Sequence, residues 1–181
     1  MARGPVIADA HPWIVRVTHW LNAVVLGIMI ASGLEIFAAF PSFGQKIPEP
    51  RLLEVPGYFR LGGWLGGALQ WHLAFMWPFM ATGVAYVCYA LAARRANATA
   101  DLYNPIQKRA YTLVILTAAV SVITGWMLYK PVQLGPLVEW SGGFPGVRFL
   151  HFAAACVLLA FIPGHVVMVA IYGRKALRSM L

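Results

Sequence analysis

The chain has 181 residues, of which 60% are hydrophobic and only 11% charged, and it carries a net charge of +8 at neutral pH. Soluble domains hold ~25% charged residues, so an ordinary soluble domain is excluded, and basicity in so apolar a chain points to charged membrane flanks rather than a nucleic-acid surface. Four spanning helices and their loops use up this length, leaving no room for a separate soluble catalytic domain.

The opening stretch, MARGPVIADAHPW, has no apolar run before position 13. It is not expected to be a cleavable signal peptide, so the first spanning segment should itself target the chain to the membrane. His11 reads as a solvated residue or helix cap. Residues 17–34 are free of charge between Arg16 and Glu35. Pro12 suits a first helical position, which predicts a helix over about 12–38. The loop 40–62 is rich in Pro and Gly and carries both signs of charge. Its prolines allow at most short helical turns.

Arg60 and Arg94 bound the second uncharged run, 33 residues long, which predicts a helix over about 65–92. A third run of 20 residues between Arg109 and Lys130 predicts a helix over about 109–129. Thr112, Thr117, Ser121 and Thr124 in it could hydrogen-bond within or between helices. The fourth run, residues 149–173, holds 25 residues without charge and predicts a helix over about 147–172. Pro163 should bend it near His165. Cys88 and Cys156 lie in apolar segments and read as small buried side chains rather than a disulfide.

Charge sets the expected orientation. With the N-terminus inside, Arg3, Arg16, Arg94, Arg95, Lys108, Arg109, Arg174, Lys175 and Arg178 lie on the cytoplasmic side. Lys46, Arg51, Arg60, Lys130 and Arg148 lie outside. The bias favours N-in and C-in. Trp13, Trp20, Trp64, Trp71, Trp126 and Trp140 fall near the proposed boundaries, as interfacial belts require. The expected fold is all-α, an integral membrane four-helix bundle forming one domain over 1–181, with short cytoplasmic termini and an extracytoplasmic 40–62 loop.

Ionisable groups inside a bilayer are costly and point to function. His151 and His165 stand 14 residues apart, close to four full turns, so they share one helix face about 21 Å apart along the axis. That is too far for one metal ion and suits two stacked cofactors. In the predicted topology, His72 and His151 fall at an outer level, and His19 and His165 at an inner level. Two imidazoles can hold a b-type haem without covalent attachment. No CxxCH motif supports c-type attachment, and buried zinc would need more convergent ligands. A haem iron with both axial positions filled favours electron transfer over oxygen chemistry. The competing reading is four core histidines satisfied between packed helices. Arg16, three residues before His19, suits an anionic haem propionate. Arg60 and Arg148 lie near the outer pair, and each reads equally as an interfacial charge.

The segments VRVTHW (15–20), the lone histidine of the second helix, the HFAAACVLLAFIPGH pair (151–165) and YNPIQKRAY (103–111) together resemble the bacterial di-haem cytochrome b561/nickel-hydrogenase b-type subunits. That group includes the membrane subunits of formate dehydrogenase and thiosulfate reductase type complexes, and the resemblance covers nearly the whole chain. It implies two non-covalent bis-histidine haems, His72 with His151 on the periplasmic side and His19 with His165 on the cytoplasmic side. It further implies electron exchange between a periplasmic redox enzyme or cytochrome and membrane quinone, ubiquinone or menaquinone, in the bacterial cytoplasmic membrane. A molybdenum oxidoreductase or hydrogenase-like enzyme fits as partner. Quinone would bind near the inner haem and the loop before the third helix, where Asn104 and Gln107 match; Asn104-Pro105 reads equally as a turn. The chain is thus expected to be an electron-transfer subunit rather than a stand-alone enzyme. The rival is a self-contained superoxide:quinone oxidoreductase. A non-redox transporter or assembly factor, or a pure anchor, would not need two reducible haems. Exposed apolar faces would meet lipid or a second copy of the chain.

Overall fold

The structure, a computed structural model, describes residues 11–43, 53–95 and 105–181. It is all-helical, with no strand among the described residues. The helices are α1 (Trp13–Ala39), α2 (Leu65–Arg95), α3 (Pro105–Tyr129), the short α4 (Gly135–Trp140) and α5 (Gly143–Arg178). The segments Trp13–Ala39, Leu65–Ala93, Arg109–Tyr129 and Gly143–Arg174 are long and apolar enough to cross a membrane. Helix is required there, because a spanning segment must satisfy its own backbone polar groups.

The predicted spans hold, and their ends shift for identifiable reasons. Helix α3 begins at Pro105 rather than 109, because Lys108 and Arg109 end an uncharged run without ending a helix. Helix α5 begins at Gly143 rather than 147. Gly142 and Gly143 both have positive φ (86° and 73°), which ends α4 and lets the chain restart at once, with Pro145 in the first turn, where its missing N–H costs nothing. Helix α4 had no periodic signal in sequence. It packs through Val138 onto Met127 and Val147. In α5 the backbone leaves helical dihedrals not at Pro163 but at Gly173 (φ 69°, ψ −158°). Beyond it, residues 174–181 reach the start of α1: His11 N–H donates to the Ser179 carbonyl at 2.8 Å and Trp20 Nε1 to the Met180 carbonyl at 2.9 Å. His11, expected to be solvated or a cap, is instead half-buried against this segment. Among the described residues of the 40–62 loop, one helical turn forms at Gly57–Phe59, and Leu61 N–H donates to the Ala31 carbonyl at 3.0 Å.

Close backbone approach is concentrated within two hairpins, α1–α2 and α3–α5. Large side chains span the space between them. Phe37 of α1 stacks on Phe152 of α5 at 4.6 Å, and Trp77 of α2 meets Trp126 of α3 at 5.7 Å. The largest fully buried side chains among the described residues are only Val147 and Ser32. The outward faces are apolar, and Cys88 and Cys156 lie exposed there as free thiols. This corrects the expectation of burial: in lipid, an apolar side chain has no need to turn inward.

Candidate functional site

Each hairpin contributes one histidine to each of two sites. His72 of α2 and His151 of α5 face each other with ring centroids 6.1 Å apart. His19 of α1 and His165 of α5 do so at 6.0 Å. Both pairings predicted from depth are therefore present. Two imidazoles bound to opposite sides of one metal ion have centroids roughly 6 Å apart, given metal–nitrogen bonds of about 2 Å. Both pairs stand at that spacing. Among the described residues, no three His, Cys, Asp or Glu side chains converge, so each site offers a two-ligand donor set.

The surroundings of the two pairs differ. At the His72–His151 pair, Ser32 Oγ of α1 lies 3.0 Å from His72 Nδ1, and Thr124 Oγ1 of α3 lies 2.9 Å from His151 Nδ1. These bonds leave the Nε2 atoms for a shared partner. Gly33 and Gly125 follow the two hydroxyl residues. A Cβ at Gly33 would stand 3.4 Å from His72 Cε1, and one at Gly125 only 3.3 Å from His151 Cε1. Glycine thus lets each ring lie directly on the neighbouring helix. At the His19–His165 pair, His165 stacks on Phe161 at 5.5 Å and His19 meets the edge of Trp20 at 5.2 Å. Here two buried polar atoms, His19 Nδ1 and Arg16 Nε, have no hydrogen-bond partner among the described residues. A buried guanidinium nitrogen left unpaired is costly. An anionic group beside His19 would satisfy it.

The donor sets, their spacing and the orphaned Arg16 atom fit a bis-imidazole haem with acidic substituents. A family model for prokaryotic cytochrome b561 matches residues 10–181. The chain belongs to that family. This prokaryotic cytochrome b561 is 35% identical over 189 residues to "Putative protein-methionine-sulfoxide reductase subunit YedZ1" of Azospira oryzae, a match covering 91% of each chain. It is 28% identical over 171 residues to "Putative cytochrome YdhU" of Escherichia coli, covering 83% of this chain and 63% of that protein. No solved structure matches. The family's role is electron transfer as a subunit rather than catalysis by a stand-alone enzyme.

Other candidates fall in varied places. Arg60 Nη1 pairs with Glu35 Oε2 at 3.4 Å, and its Nε is buried without a hydrogen-bond partner among the described residues. Arg148 Nη2 donates to the Phe40 carbonyl at 2.7 Å, and its guanidinium lies 5.7 Å from the Phe43 ring centre. Its head group ties α5 to the end of α1. Asn104 and the side chain of Gln107 lie outside the described residues. Sequence reasoning missed Ser32, Gly33 and Gly125 and gave Thr124 no specific partner. The available signal was a hydroxyl-glycine dipeptide in the first and third helices, which also occurs at Thr82-Gly83 in the second, where Thr82 meets Asn22 rather than a histidine.

Proposed function

We propose that the chain is a single transmembrane di-haem domain that moves electrons across the bacterial cytoplasmic membrane, with its termini cytoplasmic. His72 and His151 would hold the outer b-type haem, and His19 and His165 the inner one. When bound, such a haem supplies a one-electron couple without an open coordination position. The observation that carries this reading is the pair of inter-hairpin histidine contacts at 6.1 and 6.0 Å. The chain's own residues hold the imidazoles on opposite sides of a common point, exclude water with apolar helices, and set Arg16 beside the inner pair as a positive partner for a carboxylate.

The YedZ1 relative suggests the outer partner: a periplasmic reductase of methionine sulfoxide in proteins, in place of a hydrogenase-like enzyme. Reducing a sulfoxide to a thioether and water takes two electrons and two protons, so electrons would leave the membrane quinol pool on the inner side and exit at the outer level. The quinone would lie near the inner pair and the approach to α3, with Asn104 and Gln107 as its proposed contacts. The test is an absorbance spectrum of the detergent-solubilised protein, oxidised and then dithionite-reduced, with haem quantified per chain. Two low-spin b-type haems are expected. A haem-free protein from carefully prepared membranes would return the histidines to helix packing.

A further inference from the structure

The two outer histidines are held by the same device, built separately in each hairpin. Ser32 Oγ donates back to the Ile28 carbonyl at 2.7 Å, and Thr124 Oγ1 to the Val120 carbonyl at 2.7 Å. A hydroxyl has one proton. With it committed to the helix, the oxygen can only accept from the histidine. Facing an oxygen that can only accept, Nδ1 of each ring must carry the proton.

We propose that Ser32 and Thr124 are positioning residues that lock His72 and His151 in the Nδ1–H tautomer, aim both Nε2 lone pairs at one iron, and raise the basicity of both ligands. This rests on the reading of His72 and His151 as axial ligands of the outer haem. Hydrogen-bonded imidazoles are stronger donors and better oriented, which favours the oxidised iron and holds the outer potential down. At the inner pair His19 lacks the device, since its Nδ1 has no hydrogen-bond partner among the described residues, so the outer haem alone is tuned this way through both ligands.

The experiment is spectroelectrochemical titration of both haems, with low-temperature EPR of the oxidised protein, on the wild type and on Ser32→Ala, Thr124→Val and Thr124→Ser. Thr124→Val keeps the shape and removes the hydroxyl. Thr124→Ser keeps the hydroxyl. Loss of either hydroxyl should shift the outer haem toward its reduced form, by up to about tenfold in its redox equilibrium constant or about 59 mV for a one-electron couple. The outer low-spin EPR signal should move, the inner one should stay, and Thr124→Ser should restore both readouts. Ser121→Ala is the control, because Ser121 Oγ donates to the Thr117 carbonyl. Unmoved potentials and EPR signals in variants that keep two haems would overturn the inference, as would equal shifts of both haems. If Thr124→Val does not fold, Ser32→Ala, which deletes one oxygen, carries the test alone. A wild-type protein without an outer haem would instead overturn the functional reading beneath it.

Discussion

Phe37 and Phe152 stack across the divide between the hairpins, ring centroids 4.6 Å apart and planes 22° from parallel. Phe152 is the neighbour of His151, and Phe37 is 6% exposed, so this contact sets the spacing at which His151 meets His72. Phe37→Ala should cost about 3–5 kcal/mol through lost burial and the cavity left behind. The outer haem should be retained less well than the inner one, and Phe37→Leu should restore most of it. Thermal denaturation with haem content per chain measures both effects. Equal loss of both haems would show that the stack supports only the bundle as a whole.

Removing one histidine from each pair should separate the sites. His72→Ala should leave one b-type haem per chain, the inner one, and His165→Ala should leave the outer one. Haem quantification with redox titration distinguishes these outcomes. Either variant should lose quinol-driven reduction of an outer acceptor. Loss of both haems from each would indicate that the two sites do not assemble independently.

The four histidines were legible because helical period and membrane depth constrain them strongly: a 14-residue spacing fixes face and level at once. The spans were legible from uncharged runs, while their ends were not, since Lys108 and Arg109 continue a helix. The support of the outer histidines was hidden. Ser32 and Thr124 reach rings on helices 40 and 27 residues away in sequence, and neither disturbs the local apolar pattern. Arg148 sat near the outer pair by sequence. Its hydrogen bond to the Phe40 carbonyl depends on how the end of α1 meets α5, which no local pattern encodes.

Gly125→Ala should disturb the outer site. The new Cβ would stand 3.3 Å from His151 Cε1, tight enough that the ring must shift by a few tenths of an ångström while its Nδ1 remains tethered to Thr124. Affinity for the outer haem should fall by about tenfold, a usual scale for disturbing the groups that orient a metal ligand. Gly27→Ala is the matched control, because a Cβ there meets nothing within 4 Å; by helix propensity it should be neutral or stabilising by up to about 1 kcal/mol. Haem titration of the apo-protein gives the comparison. Equal affinities in the two variants would remove Gly125 from the site.

Arg16→Gln should lower the inner haem's potential. A nearby positive charge favours the reduced, more electron-rich state, and the buried Nε suits a propionate. Loss of the charge should shift the inner redox equilibrium toward the oxidised form by about tenfold, or about 59 mV, with the outer haem little changed. Arg16→Lys should recover part of the shift, since lysine keeps the charge and loses the planar fork. An inner potential insensitive to Arg16→Gln would assign Arg16 to the membrane interface alone.

The segment after Gly173 should detach on acidification. Burial lowers the pKa of His11 below its ordinary 6.5, and His11 lies where its backbone joins Ser179. The detached state, with His11 in water, then binds the proton more readily than the docked one. Docking is therefore at full strength above about pH 6.5 and is lost as pH falls through the lowered pKa. Trp20 reports the change, because its indole N–H donates to the Met180 carbonyl. Its emission should change as pH falls from 7 toward 5, measured against Trp20→Phe to isolate the signal. His11→Ala should flatten that response. Gly173→Ala should weaken docking at every pH, because φ of 69° with ψ of −158° is a region essentially confined to glycine and costs an L-residue about 1–3 kcal/mol. A pH response that survives His11→Ala would assign the titration to another group.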